Sequence, residues 1–168
     1  ICIVHSNVGL MHASMGIFNA WCDRVPMVII GATGPVNSTI RRPHIDWIHT
    51  ASDQGGLIRN YIKWDDQPGS PEGVVEAIRK GMQIACTPPY GPVYICLDAA
   101  VQEMQINDWP EFNDVGRYQP PNPPNAPAGI AEEAADMLLS TANPLILAGK
   151  MLRNEESWNK RIRLAEAI

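Results

Sequence analysis

Long hydrophobic runs, clustered basic charge and paired cysteine motifs are all missing from this 168-residue chain, and each absence removes a class of function. No apolar stretch approaches the ~18 residues that a membrane-spanning helix needs, so no membrane partner is expected. Lys and Arg number 13 against 18 Asp and Glu, for a net charge of −5, and the basic residues form no cluster. Nucleic acid, whose phosphates demand a concentrated basic face, is therefore not an expected partner. The four cysteines, Cys2, Cys22, Cys86 and Cys96, include no CxxC pair, and each sits within an apolar segment. They read as small buried hydrophobes of a reducing compartment, which favours a cytoplasmic location over a disulfide framework or a zinc site. No two histidines have the HxxxH spacing of a helical metal site, so no metal ligand is expected in this chain. There is no signal-peptide pattern and no internal repeat.

What is present is an alternation of strand and helix signals. Ile1-Cys2-Ile3-Val4 is a continuous apolar run, the pattern of a strand buried on both faces. A helix follows the turn at Ser6-Asn7-Val8-Gly9, with Met11, Met15, Phe18 and Cys22 spaced to share one face. Met27-Val28-Ile29-Ile30 predicts a second buried strand, and a long polar loop then extends to about Asp53. A short helix is expected at 54–59 and a third strand at 61–64. Ser70-Pro71-Glu72 opens a further helix with an N-cap, a first-position proline and an acid in the first turn. Val74, Ile78 and Met82 repeat every four residues along it. Val93-Tyr94-Ile95-Cys96-Leu97 is the fourth strand, ending at Asp98.

The texture changes after that. Gln119-Pro120-Pro121-Asn122-Pro123-Pro124-Asn125-Ala126-Pro127 excludes helix and central strand, because proline lacks the amide donor and has a fixed φ. We read 1–106 as one α/β unit, 107–127 as a semi-rigid linker and 128–168 as the beginning of a second α/β domain. In that last part Ile130, Ala134, Met137 and Leu138 mark a helix, and Leu145-Ile146-Leu147-Ala148-Gly149 a fifth strand. The chain opens inside a strand pattern and closes inside a helical one, so it is expected to be an internal piece of a longer protein. The fold class is α/β: a doubly wound, flavodoxin-like parallel sheet with flanking helices, since such alternation implies right-handed crossovers between parallel strands.

In such sheets ligands bind outside the carboxyl ends of the strands. That rule directs attention to the loops after Val4, Ile30, Trp64 and Leu97. Three of the four histidines, His5, His44 and His49, fall at or after strand ends, and His12 lies one helical turn further on. They fit a ligand pocket, though scattered turn histidines would look the same. Asp98 closes a strand at that edge and is either catalytic or a cap for the next turn. Arg41-Arg42-Pro43 offers a fork of donors for an anion, or simply a solvated loop. Trp47, Trp64 and Tyr61 suit either a stacked heterocycle or ordinary packing.

Residues 1–106 resemble the second half of the pyrimidine-binding domain of thiamine-diphosphate-dependent enzymes of the acetolactate synthase type. The resemblance rests on His5-Ser6-Asn7-Val8-Gly9-Leu10-Met11-His12-Ala13 in place of their Ser-Gly-Pro-Gly-Ala-Thr-Asn loop, and on Asp23-Arg24-Val25-Pro26 before Met27-Val28-Ile29-Ile30-Gly31. It rests also on Tyr90-Gly91-Pro92-Val93-Tyr94-Ile95-Cys96-Leu97-Asp98 and on Asn143-Pro144-Leu145-Ile146-Leu147-Ala148-Gly149, similar to the family's entry into its central domain. Asn7-Val8 replaces Gly-Pro, His12 replaces an Asn, and Asp46-Trp47-Ile48-His49-Thr50 stands where acetolactate synthases carry a Phe-Gln pair. The substrate is thus left open between carboligase, decarboxylase and lyase chemistry.

The resemblance implies thiamine diphosphate as cofactor, with Mg2+ held outside this chain, a 2-keto acid substrate, and a homodimer or tetramer; flavin is left open. The strand-end rule then puts His5 and Val8 beside that cofactor, one helical turn adds His12, and the long loop brings Thr50 and His49, the catalytic candidate. The resemblance also implies a Glu upstream of Ile1 and a Gly-Asp-Gly motif downstream, neither of which is in this sequence, so that this chain by itself would be inactive. A non-catalytic flavodoxin-like binding or assembly module is the alternative.

Overall fold

The computed structural model describes residues 1–109 and 115–168. The described residues divide into two units, Ile1–Asn122 and Pro123–Ile168. Residues 110–114 of the expected linker lie outside the described part.

The first unit is built on four parallel strands: β1 (Cys2–Ile3), β2 (Met27–Thr33), β3 (Asp65–Asp66) and β4 (Pro92–Asp98), in the order β1-β2-β4-β3. β2 and β4 form its centre, paired from Met27 opposite Pro92 to Thr33 opposite Asp98. Strand residues point alternately to the two faces, and each face has its own core. On one, Ile29, Tyr94 and Cys96 pack with Leu10 and Ile17 of α1 (Ser6–Cys22) and with Ile58 and Ile62. On the other, Val28, Val93 and Ile95 pack with Ala77 and Ala85 of α3 (Pro71–Ala85). The sheet is thus covered on both sides, the doubly wound α/β arrangement that the alternating pattern predicts.

The structure departs from the sequence pattern at several elements. β1 is exposed rather than buried, with Ile1 and Ile3 each 78% accessible, because it is an edge strand paired on one side only. α1 forms as expected, but its core face is Ser6, Leu10, Ile17 and Ala20, while Met11, Met15, Phe18 and Cys22 face outward. Both rows have helical spacing, and the smaller residues win the sheet. α3 likewise buries Ala77, Gly81 and Ala85 and leaves Met82 exposed. Its start is as the sequence predicts: the Ser70 side chain accepts from the Gly73 amide at 3.1 Å. The short helix expected at 54–59 is two 3-10 turns, Gly55–Leu57 and Arg59–Tyr61, and the third strand sits at Asp65–Asp66 instead of 61–64.

The long loop after β2 contains a 3-10 turn, Ser38–Ile40, and a helix, α2 (Pro43–His49). Proline at its first position is pre-set for helix, and the Asp46 carboxylate reaches back to the Arg42 amide at 2.6 Å, satisfying a donor the helix start leaves open. α4 (Ala99–Gln102) follows β4 directly. Of the cysteines, Cys96 is buried, but Cys2 and Cys22 are exposed, following β1 and the outer side of α1.

The second unit contains α5 (Ile130–Leu139) and α6 (Glu155–Ala167). The fifth strand expected at 145–149 is not formed among the described residues. Leu145 and Leu147 are 91% and 96% accessible, with no neighbouring strand to pair with.

Candidate functional site

The carboxyl ends of β1, β2 and β4 converge on a cavity of ≈ 340 Å³. Its wall comes from four places: His5 and Ser6 at the β1–α1 turn, Ala32, Thr33 and Gly34 at the end of β2, five residues of the α2 region, and Ala99 and Gln102 after β4. The α2 contribution includes Arg42, His44, Asp46 and His49.

In its wall is a hydroxyl between two imidazoles. Ser6 Oγ lies 3.2 Å from His5 Nδ1 and 3.0 Å from His49 Nδ1. The two rings meet edge to face, with centroids 4.8 Å apart and planes at 77°. Ser6 is only 3% accessible and has φ +43°, in the left-handed region. A non-glycine residue held there costs about 1–3 kcal/mol and persists only where its surroundings dictate it. The strain arises where the chain passes from β1 into α1 within two residues. His5, the residue before α1, makes no side-chain cap.

A second layer fixes His49. Its carbonyl accepts from the Gly34 amide at 3.4 Å and from Gln54 Nε2 at 3.4 Å. Gln54, 1% accessible, accepts in turn from the buried Tyr94 hydroxyl at 3.2 Å. Burial drives the Tyr94 phenol far above its usual range, so it is a permanent donor. Gly34 has no room for a side chain, since a Cβ there would run into Thr50 Oγ1 and come within 3.2 Å of Asp46 Cβ. Thr50 Oγ1 donates to the Asp46 carbonyl at 2.7 Å, closing the end of α2.

The electrostatics are set on the α2 side. The Arg42 amide, and then its guanidinium 3.5 Å away, hold the Asp46 carboxyl below the usual carboxylate range. Arg42 itself is raised, with Asp46 and Glu103 as partners. Asp98 accepts from the Val36 amide at 2.9 Å and the Ala100 amide at 2.7 Å. It is the cap that the sequence offered as one of its two roles, and it ties the β2 loop to β4. Arg41 is spent on the Pro35 and Val36 carbonyls.

Of the sequence-predicted residues, the structure brings His5 and His49 together at the cavity, and His44 joins them. Val8 and His12 are exposed along α1, and Thr50 stands behind α2; none of the three lines the cavity. Trp47, Trp64 and Tyr61 do not form one group. Trp47 is 72% accessible, Trp64 packs in the α3-side core and Tyr61 against the α1-side core. Ser6 was not singled out by the sequence. A lone serine in a turn has no signature, and its role depends on a φ angle and on a residue 43 positions away.

Among the described residues, no group of three His, Cys, Asp or Glu side chains is placed to hold a metal, and no helix is long and apolar enough to cross a membrane. The side-chain Oδ1 of Asn7, next to Ser6, is buried without a hydrogen-bond partner.

No family model matches the chain. It is 25% identical over 171 residues to benzoylformate decarboxylase of Pseudomonas aeruginosa, covering 98% of this chain and 30% of that protein. It is 25% identical over 169 residues to the acetolactate synthase large subunit of Haemophilus influenzae, covering 99% of the chain and 28% of the relative. Human 2-hydroxyacyl-CoA lyase 1 is 25% identical over 150 residues, 89% of the chain and 25% of the relative. The chain thus spans under a third of the length of these relatives. All three relatives are thiamine-diphosphate-dependent enzymes, and it is this family that the chain resembles along nearly its whole length.

Proposed function

We propose that this chain is part of a thiamine-diphosphate-dependent enzyme acting on 2-keto acids, and that its cavity forms the pyrimidine side of the cofactor site. The observation that carries the reading is the meeting of His5, Ser6 and His49 at the carboxyl edge of a parallel sheet, in a chain whose relatives are a decarboxylase, a synthase and a lyase. The strand-end cavity suits an organic ring rather than a metal: it mixes imidazoles with backbone at Thr33 and Gly34 and gathers no carboxylate cluster. These residues do not fit Mg2+, whose ligands this reading assigns to the longer protein.

Thiamine diphosphate, when bound, supplies the electron sink for cleaving or forming the bond beside a keto carbon. The chain's own part is proton handling and orientation. His5 and His49 direct their Nδ1 atoms to Ser6, which leaves each Nε2 for a reacting group. His49 remains the catalytic candidate, with His5 at the cofactor. Thr50 acts through α2, while Val8 and His12 belong to the outer side of α1.

A homo-oligomer is part of the reading. α1 contains no Asp, Glu, Lys or Arg in its 17 residues, and Met11, Met15 and Phe18 are 53%, 65% and 42% accessible on its outer side. An uncharged helix side that exposes several large apolar residues marks an interaction surface, and we assign its cover to a second copy. A cytoplasmic location is consistent with four unpaired cysteines.

The test is a screen of 2-keto acids with the full-length protein, with and without thiamine diphosphate and Mg2+. Cofactor-dependent loss of a keto acid supports the reading. A protein that neither binds the cofactor nor consumes any of the panel contradicts it.

A further inference from the structure

We infer that Ser6 locks His5 and His49 into complementary tautomers, so that the cavity always offers one proton donor and one proton acceptor at its two Nε2 atoms. This rests on the site reading above and extends it to how the pair moves protons. Ser6 Oγ has one hydrogen and is within reach of two Nδ1 atoms, at 3.0 and 3.2 Å. With both rings neutral, each carries one N–H. If neither Nδ1 is protonated, the hydroxyl satisfies one ring and sets lone pair against lone pair at the other. If both are protonated, they donate to Oγ together, and the Ser6 proton is left with no acceptor among the described residues at a position 3% exposed. The remaining arrangement has one imidazole donating from Nδ1 to Ser6 while Ser6 donates to Nδ1 of the other. The first ring then has a bare Nε2, a base, and the second an Nε2–H, an acid. Neither Nε2 has a protein partner among the described residues.

The arrangement reverses without net charge. When the basic Nε2 takes a proton from a hydroxyl of the reactant, that ring's Nδ1 proton passes to Ser6. The Ser6 proton passes to the other Nδ1, and that ring releases its Nε2 proton to a carbonyl oxygen. One proton enters, one leaves, and the two histidines exchange roles. Ser6 is a positioning residue in this scheme, since it acts through the imidazoles. Ser6 holds this position with a left-handed φ of +43°.

The test reads tautomers directly. In the full-length protein labelled with [15N]histidine, at about pH 8.5 and so above the ordinary imidazole range, long-range 1H–15N correlation distinguishes Nδ1–H from Nε2–H. The expected result is one of each at His5 and His49. Ser6→Gly removes the hydroxyl while suiting φ +43°, so it should fold at least as well, yet both rings should then take the same tautomer. Ser6→Gly turnover, measured on whichever keto acid the protein consumes, should fall by about 10²-fold or more. Identical tautomers in the unsubstituted protein, or a complementary pair that survives Ser6→Gly, overturns the inference. Complementary tautomers in a protein that ignores thiamine diphosphate would instead uphold it and refute only the cofactor reading.

Discussion

Gly31 occupies the middle of β2, where glycine is a poor strand former, and the reason is the Tyr94 ring lying across it. The two residues are on neighbouring strands and the same face, Gly31 pairing with Cys96 two positions beyond Tyr94. A Cβ at 31 would run into the Tyr94 hydroxyl oxygen and sit 2.8 and 2.9 Å from Cε2 and Cζ. Tyr94 is 0% accessible and its hydroxyl is tied to Gln54, so the ring has nowhere to go. Gly31→Ala recovers about 0.5–1 kcal/mol of strand propensity but adds overpacking of about 1–3 kcal/mol. At the midpoints of these ranges the net expectation is a loss of about 1.25 kcal/mol, or roughly 2.5–5 °C in Tm at about 2–4 °C per kcal/mol. Tyr94→Phe by itself should cost about 1–3 kcal/mol, because it leaves the buried Gln54 oxygen unpaired. The double substitution should cost less than the sum by about 0.5–1 kcal/mol, since removing the hydroxyl relieves the closest contact. Urea unfolding of the four proteins, with the slope checked for constancy, gives all these terms. If Gly31→Ala is as stable as the parent, or more so, the packing of β2 on β4 described above is wrong.

Other expectations follow from single contacts. His49→Ala should lower turnover of the full-length protein about 10²–10⁴-fold with an unchanged urea midpoint. Asp46 is held below the carboxylate range, so its contribution is complete above the unfolded value of ~3.9 and is lost as pH falls through the lower folded one. Asp46→Asn should therefore flatten the unfolding-midpoint curve at the acid end and leave its neutral arm parallel to that of the parent. Phe18→Glu on the outer side of α1 should lower the mass seen by analytical ultracentrifugation; an unshifted oligomer would remove that face from the subunit contact.

The sequence made β2, β4 and α3 legible to within a few residues, because each combines an unbroken apolar run or a capped start with a clear stop. It did not settle which face is buried where two apolar rows compete. In α1, Met11, Met15, Phe18 and Cys22 are larger than Leu10, Ala13, Ile17 and Ala20 taken together as a packing surface, yet the smaller row lets the helix approach the sheet. Periodicity reports that a stripe exists and not which of two stripes is preferred. α2 was hidden in a polar loop, although Pro43 and Asp46 are start signals in hindsight. β1 looked buried because composition cannot tell an edge strand from a central one. At the site, the strand-end rule located His5 and His49. Ser6, Gln54 and Tyr94 were out of reach because their roles arise from contacts made across 40 or more positions of chain.

The most direct test of the account is thiamine diphosphate binding to the full-length protein by calorimetry in the presence of Mg2+, comparing the parent with His5→Ala. The cavity reading predicts measurable binding to the parent and weaker binding to His5→Ala at unchanged folding stability. Equal affinity in both proteins, or no binding to either, would contradict it.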